Sequence, residues 1–281
     1  MKPERGVALI QVLFICTILA LLALHFTLTG RQQVEVASLM QDRTAAQLKL
    51  NHWQNEILFA LLTQPSGELG AALVEANPLT SVWNFYGKLF TPEPGVTIKL
   101  QDLEGLVALT ATDPALLRLL DYLQLTPVQR SHLLSFLEQQ QGGSAQIYRQ
   151  SAQPGRSMFL QSLSELEQVG ELSPQQLKSL QEMVTVFPKS SFNPLHAPDE
   201  VLKATLPAEV ADEAIRLRDA GSLTADRYLN LVKVEDSETV SFIRGQRIRL
   251  EIRVEHGGAV AKRRLICYIR PGDLEPLLWL E

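Results

Sequence analysis

The sequence predicts an α+β protein in which a long N-terminal helix packs on a small antiparallel sheet and a large all-α domain is inserted between the strands. Three observations predict it. Residues 7–28 are almost wholly apolar, and no Pro or Gly interrupts the chain between Arg31 and Gln64. Strand-like segments at 95–100 and 247–254 flank the middle of the chain. Between them, residues 112–232 carry repeated helix-start signals.

The chain opens with a short polar leader, MKPERG, at residues 1–6. Residues 7–28 follow, broken only by Gln11, Thr17, His25 and Thr27. A helix of that length spans about 33 Å, enough to cross the hydrocarbon of a bilayer. A secretory signal peptide would carry a shorter apolar run with a small-residue cleavage site behind it. Here the candidate cut lies in front, between Gly6 and Val7, with Lys2 and Arg5 just upstream. The plain alternative is an uncleaved anchor, which needs no glycine at that boundary.

Beyond the anchor, Ala46, Leu50, Trp53, Ile57 and Leu61 recur at spacings of three and four, one face of a helix. The same helix is therefore expected to leave the membrane and lay this stripe on a soluble core. Over residues 7–62 it would be about 84 Å long. Pro65, Ser66 and Gly67 end it, and the stretch to Pro94 reads as loop with short pieces. GVTIKL at 95–100 reads as a strand, residues 102–105 as a turn, and 106–109 as a second strand beside the first.

From Thr112, Asp113-Pro114, Thr126-Pro127 and Ser173-Pro174 each put a capping side chain before a proline at the first helical position. Ser162 and Glu165 form a capping box. Gly142-Gly143 and the polar stretch 150–157 are expected to divide these helices. Residues 111–120 echo residues 197–206, and each is followed by a proline-started helix, at 127 and 207. Both read as helix, tight turn, helix, with a third hairpin of similar plan between them. RIRLEIRV at 247–254 and AKRRLICYI at 261–269 read as strands joined at Gly257-Gly258. The expected plan is a leader at 1–6, a transmembrane segment at 7–28, the first part of the sheet-bearing body at 29–111, a helical insertion at 112–232 and C-terminal strands at 233–281.

The formal net charge is −5, and residues 1–30 carry +1, leaving −6 on the remainder. A mildly acidic body is a poor partner for phosphate backbones. Lys2 and Arg5 favour a cytoplasmic N-terminus, although Arg31 weakens the asymmetry. Cys16 in the anchor and Cys267 near the end cannot bridge within an inserted monomer, so the fold rests on its core. No GxGxxG, Walker loop, HExxH, CxxC or GxSxG motif is present, and no enzyme is expected. The carboxylate clusters Asp199-Glu200, Asp212-Glu213 and Glu235-Asp236-Ser237-Glu238 could hold a hard cation such as calcium, but no EF-hand spacing accompanies them. A solvated acidic surface is the favoured explanation of them. No other cofactor is indicated. The helical hairpins raise the alternative of a membrane-anchored DNA receptor, but the turns LQLTP and ATLPAE contain no glycine and sit among acidic residues.

The leader resembles the class III leader of type IV pilins and pseudopilins, in which a membrane-embedded prepilin peptidase cuts after the glycine. The resemblance implies cleavage at Gly6, N-methylation of Val7, and retention of the apolar helix as anchor and filament core. Gln11 occupies the fifth place after Gly6, where most pilins and pseudopilins carry a glutamate that pairs with a neighbour's N-terminal amine. A neutral amide there costs less to bury without that amine than a carboxylate would. RGVALIQVL, DLEGLVAL at 102–109 and the segment 166–207 together resemble the K-type minor pseudopilin of bacterial type II secretion systems. That family implies a pilin-like fold and a subunit at the pseudopilus tip that initiates or caps assembly during export of folded proteins across the outer membrane. It implies minor pseudopilins of the I and J types, the major pseudopilin and the peptidase as partners, the inner membrane as anchorage, a periplasmic body, and no nucleic acid. Family members commonly carry an NxNTA-type stretch where this chain has Asn193, Pro194, Leu195, His196 and Ala197, so no calcium site transfers residue by residue.

Overall fold

The computed structural model describes residues 5–63, 79, 82–146, 160–187, 191–233 and 240–280. Lys2 of the leader and the acidic cluster at 235–238 lie outside them. The single helix expected from residue 7 onward is α1, Arg5–Thr63, 59 residues, or about 88 Å. It runs straight through Gly30, whose helical cost of about 1 kcal/mol is small against more than fifty propagating hydrogen bonds.

The stripe on its C-terminal third does what its spacing predicts. Ala46, Leu50, Ile57 and Leu61 are fully buried, and Trp53 packs beside them. Each Leu or Ile so buried contributes about 1.5–3 kcal/mol. They lie against four antiparallel strands in the order β1-β4-β5-β6: β1 Val96–Asp102, β4 Arg247–His256, β5 Ala259–Ile269 and β6 Leu277–Trp279. Val96, Ile98, Leu100, Leu250, Ile252, Val254, Leu265 and Cys267 fill that seam. The hairpin turn falls at Gly257-Gly258 as read. Gly257 has φ +55°, and a Cβ there would collide with the Asp42 carboxylate, so glycine is required both by conformation and by room.

Between β1 and β4 come the helices α2 Pro114–Tyr122, α3 Pro127–Gln146, α4 Pro174–Met183, α5 Asp199–Thr205, α6 Ala208–Asp219 and α7 Ala225–Val232. The caps work as the sequence suggests. Asp113 accepts from the Ala115 N–H at 2.8 Å, Thr126 and Gln129 cap each other at 3.0 and 3.3 Å, and Ser173 and Gln176 do so at 3.0 and 3.2 Å. The Ser162/Glu165 box instead opens a 3-10 segment, Leu163–Val169, closed by Gly170 at φ +74°. Gly142-Gly143 do not divide the region, because α3 continues to Gln146; two glycines weaken a helix without removing its hydrogen bonds. The echoed segments are α2–α3 and α5–α6. Their core is leucine-rich: Leu116, Leu119, Leu120, Leu133, Leu137, Leu180 and Leu202 are all fully buried.

One strand assignment is corrected. Residues 106–109 were expected beside β1, but β2, Val107–Ala108, pairs in parallel with β3, Val184–Thr185, in a separate two-stranded sheet. The cause is the 3-10 turn Leu103–Gly105, which turns the chain away from the sheet and into the helical core. The neighbour of β1 is β4, more than 140 residues later. The short β6 has no counterpart in the sequence reading.

Candidate functional site

Two features stand apart from ordinary packing: the bare half of α1, and a buried polar junction where the helical insertion meets the sheet. Leu9, Leu13, Phe14, Leu19, Leu21, Leu24 and Phe26 are exposed around the helix, with Leu9 73% and Phe26 71% accessible. An 18-residue window there has mean hydropathy 2.5 and none of it is buried. One helix is thus long and apolar enough to cross a membrane. Arg5, Gly6 and Val7 form its first turn, and only their backbone is described. Gln11 sits in the second turn, exposed among apolar side chains. Arg5 and Gln11 are about 9 Å apart along the axis, so the sites named from the sequence line one helix rather than converge.

Polar contacts from the body hold α1 along its C-terminal half, among them Trp53 donating to Glu93 at 2.7 Å and Arg263 donating to Asn51 at 3.0 Å. Near the exit, Gly258 donates its N–H to Asp42 Oδ2 at 3.1 Å. At the far end, the buried Arg244 donates to the Leu61 carbonyl at 3.1 Å, one of the four carbonyls that a helix C-terminus leaves open. Burial draws the Arg244 guanidinium below its ordinary pKa range, opposed by nearby Asp102.

Asp102, the last residue of β1, is fully buried and organises the junction. Its Oδ2 accepts from the Gly245 N–H at 2.8 Å and lies 2.6 Å from His196 Nδ1, while Oδ1 accepts from the Glu104 N–H at 3.0 Å. His196 Nδ1 also lies 3.1 Å from Asn193 Nδ2; because the carboxylate only accepts, the shorter contact assigns the donor role to Nδ1. Asn193, also fully buried, holds the other side. It donates from Nδ2 to the Ile243 carbonyl at 2.9 Å and accepts the Leu195 N–H on Oδ1 at 3.1 Å. Gln101 donates to the His196 carbonyl at 2.9 Å. A side chain at Gly105 would collide with that same carbonyl. This network joins the 192–197 segment of the insertion to the end of β1 and the approach to β4, the two points where the insertion leaves and re-enters the sheet.

The acidic pairs have structural partners. Asp199 pairs with Arg218, which is 8% exposed, donates to the Ala197 carbonyl at 2.6 Å and stacks 3.8 Å over the Tyr86 ring. Glu213 pairs with Arg216. Among the described residues no group of three or more His, Cys, Asp or Glu side chains is gathered as a metal site would require. The α2–α3 turn puts the non-glycine Gln124 at φ +54°, and the α5–α6 turn consists of Leu206 and Pro207.

A cleft of about 760 Å³ separates the sheet from the insertion, lined by both signs of charge, including Lys88, Lys99, Lys178, Glu182 and Asp199. The Lys99–Glu182 ion pair crosses it. Burial works to raise the Glu182 carboxyl, but the Lys99 hydrogen bond and the charges of Lys99, Arg249 and Arg264 outweigh it and hold the group below its ordinary value.

No protein-family model and no curated protein matches the chain. Among solved structures, a chain of the GspK-GspI-GspJ complex from the type 2 secretion system of enterotoxigenic Escherichia coli is similar at 15% identity, with 90% of this chain and 97% of that chain covered and a TM-score of 0.49. At that level the functional reading rests on this chain's own residues. Asp102, Asn193, His196, Arg218 and Arg244 were not singled out as a unit in the sequence. Asn193 and His196 stood out only as the altered NxNTA-type stretch, and Asp102 only as a turn residue.

Proposed function

We propose that this chain is a minor pseudopilin of the K type, anchored in the bacterial inner membrane with a periplasmic body, at the tip of a type II secretion pseudopilus. The observation that carries the reading is α1 itself. One unbroken helix buries its C-terminal third on a sheet and leaves its apolar N-terminal half bare on every side. An apolar surface of that extent needs lipid or neighbouring helices around it. A filament subunit needs both in turn, lipid before assembly and helices after it. The tip assignment rests on Gln11: without a carboxylate it has no charge to offer a neighbour's N-terminal amine. Partners on this reading are the I- and J-type minor pseudopilins, the major pseudopilin, and a prepilin peptidase acting between Gly6 and Val7. Lys2 and Arg5 would lie on the cytoplasmic side.

Mass spectrometry of the full chain, expressed with a prepilin peptidase, tests this. The expected product begins at Val7 with one added methyl group. Retention of residues 1–6 would refute the assignment. Co-purification with I- and J-type subunits is the expected partner result.

A further inference from the structure

The two edges of the main sheet differ. The outer edge of β1 is covered by the preceding loop: Phe85 accepts from the Asp102 N–H, Gly87 donates to Leu100, and Phe90 and Ile98 exchange bonds, all at 2.9 Å. At the other edge, β6 covers only Cys267, Tyr268 and Ile269, and the Leu280 N–H adds one bond to the Ile266 carbonyl at 2.9 Å. Among the described residues, nothing pairs with the rest of β5.

The register says which groups that leaves. The hairpin closes on His256 opposite Ala259 across a two-residue turn, so Ala259, Ala261, Arg263 and Leu265 bond toward β4. Ile269 keeps that alternation, donating to Gln246 at 2.7 Å. Val260, Lys262 and Arg264 therefore direct their N–H and C=O groups outward, an edge of about 17 Å. Edges of this kind are templates for another strand.

The side chains specify the strand. Val260, Lys262 and Arg264 point away from α1, and all three are exposed or nearly so, Val260 51% accessible. Lys262 makes no hydrogen bond or ion pair among the described residues, and its cross-strand partner is another cation, Arg253. Arg264 reaches Glu251 only at 3.5 Å. Two copies pairing β5 to β5 would set these cations against one another, which is unfavourable. An alternating strand with carboxylates on the same face would complement them.

We infer that the open edge of β5, at Val260, Lys262 and Arg264, receives an extended acidic strand from a second, non-identical protein by β-augmentation. This goes beyond the pseudopilin reading and does not depend on it.

The test uses the full chain in detergent micelles with selectively 15N-labelled valine, lysine and arginine. The probes are two nine-residue peptides, one alternating Val with Glu and one Val with Lys. Expected results are anisotropy-detected binding of the Glu peptide alone and about tenfold slower amide exchange at Val260, Lys262 and Arg264. Exchange at Arg263, already bonded to β4, should be unchanged. Lys262→Glu together with Arg264→Glu, checked for native near-ultraviolet dichroism, should reverse the peptide preference. Equal binding of both peptides, no binding of either to about 1 mM, or binding without protection of the three amides would overturn the proposal. So would disulfide-linked homodimers of Lys262→Cys in a Cys16→Ser background in micelles, which would make a second copy the occupant.

Discussion

Asp102→Ala probes the junction most directly. The carboxylate is fully buried and satisfies three donors, the Gly245 N–H, the Glu104 N–H and His196 Nδ1. Truncation orphans all three. Each buried donor left without a partner costs about 1–3 kcal/mol, and since all three bonds are part-buried, admitted water recovers some of the loss. A total of about 3–5 kcal/mol is expected, a large share of the 5–15 kcal/mol of a typical domain. For a body of this size it corresponds to a fall of about 10 °C in Tm. The assay is thermal and urea unfolding of the full chain in detergent, followed by near-ultraviolet dichroism. Asp102→Asn should fall between the wild-type chain and Asp102→Ala. Its amide oxygen can still accept from Glu104, and His196 can move its proton to Nε2 and accept from the new NH₂. Gly245 alone would remain without an acceptor. A double-mutant cycle with His196→Ala should give a coupling of about 0.5–3 kcal/mol. A loss below about 1 kcal/mol for Asp102→Ala, or a coupling near zero, would refute the view that this network holds the insertion to the sheet.

Other consequences follow from burial and charge. Leu50→Ala, in the α1–sheet seam, should cost about 2–5 kcal/mol in urea unfolding. Leu48→Ala, 64% exposed two residues earlier, should stay within about 0.5 kcal/mol; equal effects would place the seam wrongly. Glu182 ionises below its ordinary value of 4.5, so its pairing with Lys99 adds stability above that value and loses it as pH falls through the lower folded pKa. Glu182→Gln should therefore flatten the acid limb of a stability–pH curve, and an unchanged limb would count against the pairing. Burial pushes the Cys267 thiol up to about 12. In a Cys16→Ser background, Ellman's reagent should label Cys267 only after guanidinium unfolding; prompt labelling of the native chain would contradict its burial.

What was legible in the sequence was local. The 3.6-residue period of Ala46, Leu50, Ile57 and Leu61, the Asp-Pro, Thr-Pro and Ser-Pro caps, and the alternation of 247–254 before Gly257-Gly258 each concern residues within a turn or a hairpin of one another. Backbone sterics and side-chain spacing are enough to decide such elements. Residues 106–109 have a strand's composition, and Val107–Ala108 within them form one. Their partner was missed because a 3-10 turn of three residues turned them into the other core. The three residues of β6 are too few to show a period at all.

The apolar run, the Gly6–Val7 boundary and Gln11 are properties of the sequence by itself, and with them the expectation of an anchored helix that continues into a soluble body. Tertiary structure alone decided how the insertion is fastened and which sheet edge stays open. Asp102 meets His196 across 94 residues and Gly245 across 143. No local pattern encodes such a meeting, because it exists only after β4 has paired with β1 and brought both ends of the insertion together. The edge of β5 is likewise a matter of register. A two-residue turn and a short β6 determine that Val260, Lys262 and Arg264, rather than Ala261 and Arg263, face outward.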